Sequence, residues 1–183
     1  MDLNTPLITT LLVAAVLLFW VVGAYNRLVA LRTAIGGAWA QVDEPLTQRH
    51  ELLTRLVAAL REPLQDDHPT LDSVLAASAQ AHAASGAVRP RPSEARTVAS
   101  LVLAEQVLAT AWSRLAAVLD ARAELRTGEG IAAPLAELEA IEQRLAFRRQ
   151  LFNQATHKYN EAVGQFPTSL LTPFFRFGAA GRL

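Results

Sequence analysis

Apolar positions along the chain form one unbroken block followed by four periodic stretches. The block runs over residues 7–24, where Thr9 and Thr10 are the only hydroxyl side chains, and no charge occurs between Asp2 and Arg27. Its eighteen residues, at about 1.5 Å each, reach about 27 Å, near the thickness of a bilayer's hydrocarbon core. Trp20 and Tyr25 lie toward its C-terminal end, where amphipathic rings favour the membrane interface. The block predicts a transmembrane helix over 7–24 behind a short tail, residues 1–6. A buried core helix is the weaker reading, since such helices seldom run this long without a polar face. A cleaved signal peptide is weaker too. Val22-Gly23-Ala24 passes as a cleavage site, but residues 1–6 carry no Lys or Arg and the apolar core is longer than secretory signals need.

From Leu28 the pattern turns periodic. Leu28, Leu31, Ile35, Trp39, Val42 and Leu46 recur at steps of three and four, and Leu53, Leu56 and Leu60 follow after a step that passes through Arg49. This spacing shares one helix face, with a mean step near that of a coiled coil or long bundle helix. No polar break separates it from the apolar block, so one helix is predicted from about residue 6 to 62, with Gly36-Gly37 and Pro45 as its weak points. Asp66-Asp67-His68-Pro69 reads as a turn. A short alanine-rich helix is predicted from about Leu71 to Ala84, with a face of Leu71, Val74, Leu75 and Ala79, then a loop from Ser85 to Pro92. Ser93 is the expected N-cap of a third helix. Its seam is Val98, Leu101, Glu105, Leu108, Trp112, Leu115, Leu119, Arg122 and Leu125, and Gly128-Glu129-Gly130 stops it. A fourth runs from about Ile131 to Gln165, with Pro134 in its first turn. Its seam is Leu135, Leu138, Ile141, Leu145, Arg148, Phe152, Tyr159, Val163 and Phe166, and Phe166-Pro167 ends it. No stretch alternates as a strand does.

The fold class is therefore all-α: an N-terminal transmembrane helix continuous with a long antiparallel bundle of about four helices over residues 25–167, then an aromatic tail over 168–183. In an alternating bundle the fourth helix returns toward the membrane. Phe174, Phe175, Arg176 and Phe177 then either lie near the bilayer surface or cap the open end of the bundle.

Composition narrows the chemistry. Seventeen basic residues balance seventeen acidic ones, which gives no case for nucleic-acid binding. The chain has no cysteine, which excludes disulfides, thiolate metal sites and cysteine nucleophiles. Lys158 is the only lysine and follows no glycine-rich turn, so there is no P-loop. The four histidines, His50, His68, His82 and His157, enter no His-Glu-x-x-His or Glu-x-x-His pattern. His157 and Glu161 share a helix face, a spacing far more often a surface contact than a metal site. No catalytic, metal or cofactor-binding residue is expected. Arg49, Glu105, Arg122 and Arg148 interrupt the apolar seams. A buried arginine needs a partner, so Arg–Glu pairing inside the bundle is one expectation. The preferred one is a slight helix rotation that lets each guanidinium reach outward over its stem. Asn26, Asn153 and Asn160 recur beside aromatic residues, either for contacts between helices or for a partner.

Two groups of residues carry a family resemblance. The first is Tyr25-Asn26-Arg27-Leu28-Val29-Ala30-Leu31-Arg32, then Ala38-Trp39-Ala40-Gln41-Val42-Asp43, then Leu46, Arg49 and Leu52 to Val57. The second is Glu142-Gln143-Arg144-Leu145, Arg149, Phe152-Asn153, Tyr159-Asn160-Glu161-Ala162-Val163 and Phe166-Pro167. Together they resemble the opening and closing signatures of the LemA family. The chain departs from that pattern at Thr54, where the family has a proline, at Gln48-Arg49-His50 and at Arg122-Ala123, as a divergent member would. The resemblance implies a bacterial membrane-anchored bundle of long antiparallel helices without established enzymatic activity. It marks Tyr25, Asn26, Leu28, Arg32, Trp39, Asp43, Arg49, Arg149, Asn153, Tyr159, Asn160, Phe166 and Pro167 as signature or interaction positions. It also implies association with other membrane proteins, including zinc metalloproteases of the HtpX type.

The resulting expectation is a non-enzymatic scaffold or adaptor in the bacterial inner membrane that needs no cofactor, touches the lipid bilayer, and binds itself and other membrane proteins. The alternative is a membrane-sensing or membrane-remodelling assembly. Arg27 and Arg32 follow the apolar block while only Asp2 precedes it. The positive-inside bias then places the N-terminus outside and the bundle in the cytoplasm.

Overall fold

A computed structural model describes residues 4–183. The first three residues of the expected tail lie outside it. The first helix, α1, spans Asn4–Leu60 without interruption, passing through Gly36, Gly37 and Pro45. At 1.5 Å per residue it is a rod about 86 Å long. Its two halves differ in environment. Residues 7–19 are exposed throughout, whereas Leu28, Ile35, Trp39, Val42, Leu46, Leu53, Leu56 and Leu60 are buried at the spacing read from the sequence. Pro45 is buried as well. Packing on both sides offsets the hydrogen bond that its ring removes.

After a 3-10 turn at Gln65–Asp67 the chain enters α2, His68–Val88, with Pro69 at its start. This helix extends about a turn beyond the expected 71–84 at each end, and Ser85 and Gly86 belong to it rather than to a loop. The cause is tertiary. Buried Ser85 donates its hydroxyl to the Asp43 carboxylate of α1 at 2.7 Å, and Arg89 Nε donates to the other Asp43 oxygen at 2.8 Å. Next comes α3, Ala95–Ala121, with Glu94 rather than Ser93 at its cap position and no side-chain cap. The backbone leaves helical geometry at Arg122, ahead of the four-residue α4, Ala123–Arg126. Arg122 pairs with Asp67 at 3.0 Å. It thus ends the helix instead of continuing its seam to Leu125. Helix α5 spans Ala132–Gly164, and a 3-10 turn at Thr168–Leu170 and α6, Thr172–Phe175, follow. Phe166, expected as the last seam residue, lies beyond α5 and is exposed, while Pro167 is half-buried. Among the described residues there is no strand.

Side-chain contacts fix the helix directions. Asp43 and His50 on α1, and Arg61 just past its end, meet Ser85, Ser78 and Asp72 on α2 in reverse order. Gln41, Arg49 and Arg55 meet Arg148, Glu142 and Glu137 on α5 in the same way. Neighbouring long helices therefore run antiparallel. Packing is most extensive between α1 and α5 and between α2 and α3, with α1 and α2 joining the two pairs, whereas α3 and α5 barely approach each other. The bundle is thus open along one side, between α3 and α5. Inside it, the Trp39 ring meets Phe152 edge-on at 5.8 Å between centroids, a geometry worth about 1 kcal/mol beyond burial.

Candidate functional site

The open side between α3 and α5 holds the most developed site. Its floor is ionic. Buried Arg49 of α1 donates from Nη2 to Glu105 of α3, and from Nη1 to Glu142 of α5 at 3.0 Å. Arg149 of α5 reaches the other Glu105 oxygen at 2.5 Å. Arg49 is 6% exposed. Burial alone would lower its pKa, but the hydrogen bonds and charges of Glu105 and Glu142 more than offset this and raise it above the usual arginine value. Pairing inside the bundle, not outward extension, is therefore the arrangement at Arg49. Arg148 does reach outward, toward exposed Gln41. The groove encloses a cavity of about 450 Å³ with apolar walls of Leu53, Val102, Leu108, Trp112 and Leu138 and the ionic cluster at its edge.

The chain's own C-terminal segment fills the part of the groove nearer the stem. Asn160 donates from Nδ2 to the Ala180 carbonyl at 3.0 Å and accepts the Ala180 amide on Oδ1 at 2.7 Å. Asn153 treats Leu183 identically, at 2.7 and 2.8 Å. Between these clamps Gly181 presses on α3, where a Cβ would lie 2.7 Å from Val98 Cβ and 3.0 Å from Ala95 Cα. Leu183 lines the cavity that begins beyond it.

A second cluster sits on the α1–α2 face. His50 and His82 rings stack at 4.6 Å between centroids, 13° from parallel. His50 Nδ1 and Ser78 Oγ are 2.8 Å apart, while buried His82 Nδ1 has no protein partner. Burial first, and then neighbouring His82, lowers the His50 pKa. The stack is therefore favoured when the His50 ring is neutral.

The remaining signature positions spread along the rod. Leu28, Trp39 and Tyr159 are core, and burial raises the Tyr159 pKa against the pull of Arg32. Asp43 ties α1 to the end of α2. Exposed Tyr25 packs against Phe175 and Phe177 at 5.1 and 5.8 Å, which places the aromatic tail at the stem end of the bundle. Asn26 and Arg32 are exposed there. The structure brings Arg49, Arg149, Asn153 and Asn160 into one groove and leaves the others outside it. Sequence reasoning missed the docking of 178–183 onto α5. Its signals were the two-turn spacing of Asn153 and Asn160 and the small residues Gly178-Ala179-Ala180-Gly181.

An exposed apolar stem and an antiparallel bundle whose groove holds a segment of its own main chain define an all-α protein with a long N-terminal apolar helix. The LemA family profile matches residues 38–182, most of the chain, and the chain belongs to that family. No curated protein matches it.

Proposed function

We propose that the protein is a single-pass, membrane-anchored helical scaffold with its bundle on the cytoplasmic face of a bacterial inner membrane, working by recognition and assembly without catalysis. The observation that carries this reading is the bare stem. Ten large apolar side chains from Leu7 to Val22 are exposed. Burying each is worth about 1.5–3 kcal/mol, so water contact would forfeit a sum comparable to or larger than a typical domain's whole stability of about 5–15 kcal/mol. A bilayer supplies the missing cover. Helix α3 is also long and apolar enough to cross a membrane, but its seam is occupied by the bundle core.

Where the stem meets the bundle, exposed Arg27, Arg32, Lys158 and Arg176 stand beside Tyr25, Phe174 and Phe175. Such a basic and aromatic collar suits an anionic cytoplasmic headgroup layer, at about 1 kcal/mol per cation. Self-association and association with other membrane proteins belong to the same reading, a zinc metalloprotease of the HtpX type among the partners that family membership brings forward. Phe174, 83% exposed at the collar, favours a second reading in which an array of such anchors bends or senses the membrane.

Carbonate washing of membranes is the test of anchoring: the intact chain is expected to stay in the pellet, and release would overturn the reading. Orientation is read with a cysteine placed at exposed Ser113, which an impermeant maleimide should label only after the membrane is opened. Purification in mild detergent tests the scaffold role. A strict monomer with no co-purifying protein would count against it.

A further inference from the structure

We propose that the α3–α5 groove is a peptide-docking site and that its occupant in trans is the C-terminal tail of a second copy of this chain. The inference rests on the membrane-anchored, self-associating reading above.

The groove is built to read an extended main chain. Asn153 and Asn160 lie seven residues apart on α5, two helical turns and about 10.5 Å. Ala180 and Leu183 lie three residues apart in a segment outside any helix, about 10 Å when extended. The two pitches match, so each asparagine meets one residue of the tail and satisfies both its amide and its carbonyl. All four hydrogen bonds go to backbone and carry no preference for side chains. Selectivity comes from the opposite wall. Val98 and Ala95 leave no room for a Cβ at position 181, and the neighbouring Ala180 is itself buried. The occupant must present a small residue followed by glycine in this register. The tail of this chain does so, and every other copy carries the same tail.

Exchange between copies conserves these contacts. The tail is tethered through short turns over residues 165–176, where Phe166 and Phe174 are exposed. Arg176 sits at the tether with φ of 54°, a conformation that non-glycine residues seldom adopt. An opened tether relieves it. The tether also sits against Tyr25, just past the stem. Copies anchored in one membrane therefore hold their tail roots and groove mouths at one height. Confinement to a plane raises the effective concentration of a neighbour's tail, and exchange of an identical element is a low-cost route to association.

The absence of native cysteine makes the test direct. Arg182 and Gln154 are exposed and line one surface depression. Full-length chains with different tags, one carrying Arg182→Cys and the other Gln154→Cys, are placed in the same membrane and treated with a short bismaleimide. A chain with both substitutions is the control for contact in cis. The expected product is a linked heterodimer. Adding Gly181→Leu to the Arg182→Cys copy should reduce it about ten-fold or more, as should Asn153→Ala with Asn160→Ala on the other copy. Linking confined to the doubly substituted chain overturns the proposal, and so does a heterodimer indifferent to Gly181→Leu. Adducts between the Arg182→Cys copy and a different protein, without heterodimer, overturn it in favour of a foreign partner. Carbonate release of the chain strikes the anchoring reading alone, so the two failures are distinguishable.

Discussion

Glu105 of α3 and Arg49 of α1 form an ion pair whose side chains are 16% and 7% exposed, and the same carboxylate binds Arg149 of α5 through its other oxygen. One side chain thus ties together two helices that pack on each other and a third that barely touches either. Removing one partner of a buried pair leaves an uncompensated charge, at a cost of about 3–5 kcal/mol. Glu105→Ala is expected to lower the melting temperature by roughly 10 °C, on the scale of about 2–4 °C per kcal/mol for a domain of this size. Arg49→Met combined with Glu105→Leu is expected to recover most of that loss. Thermal unfolding followed by circular dichroism checks both.

The tail clamps are separable. Asn160→Ala removes both bonds to Ala180 and should raise amide exchange at Ala180 about ten-fold, the scale of a lost hydrogen bond of about 1–1.5 kcal/mol. Asn153→Ala should act mainly at Leu183. Hydrogen exchange resolved to single residues distinguishes this outcome from a tail that leaves as one unit in both variants.

Acid should weaken the α1–α2 face. The folded His50 pKa lies below its usual value of 6.5, so the unfolded chain binds more protons in the interval between the two. Stability then rises with pH across that interval. The contribution is complete above about pH 6.5 and is lost as pH falls toward the folded value. Ser78, His82, Glu51 and Arg49 are the polar groups around the ring, and of these Glu51 opposes the shift. Melting temperatures between pH 7.5 and 5 are expected to fall, with a shallower slope in His50→Gln. An equal slope in that variant would remove His50 as the source.

Asp43 is expected to set the length of α2. Asp43→Ala deletes the acceptor for Ser85 and Arg89, and the last turn of α2 should fray. Amide exchange should rise over residues 85–88, with a stability loss of about 1–2 kcal/mol.

Long-range order in this fold was legible wherever one helix carries its own period. The steps from Leu28 to Leu60 located the buried face of α1, and the apolar block set its bare half. What the sequence did not disclose depends on a second element. Ser85 and Gly86 look like loop residues until Asp43 is known to face them. Arg49 looks fit to reach outward until α3 delivers Glu105 and α5 delivers Glu142. Arg122 shares a period with the α3 seam, yet Asp67 draws it off at the helix end. Within the groove, Arg49, Arg149, Asn153 and Asn160 were marked one by one, but their convergence was hidden because 178–183 has no period of its own. Its small residues become informative only when Val98 and Ala95 stand against them.

A final consequence follows from α1 running unbroken from the bare stem into the packed core. No joint isolates the two halves, so the rod behaves as a stiff lever whose fulcrum lies near Tyr25. On the membrane-anchored reading proposed above, a lean of the stem by a few degrees would swing the far tip near Leu60 by several ångströms, with α2 and α5 carried along.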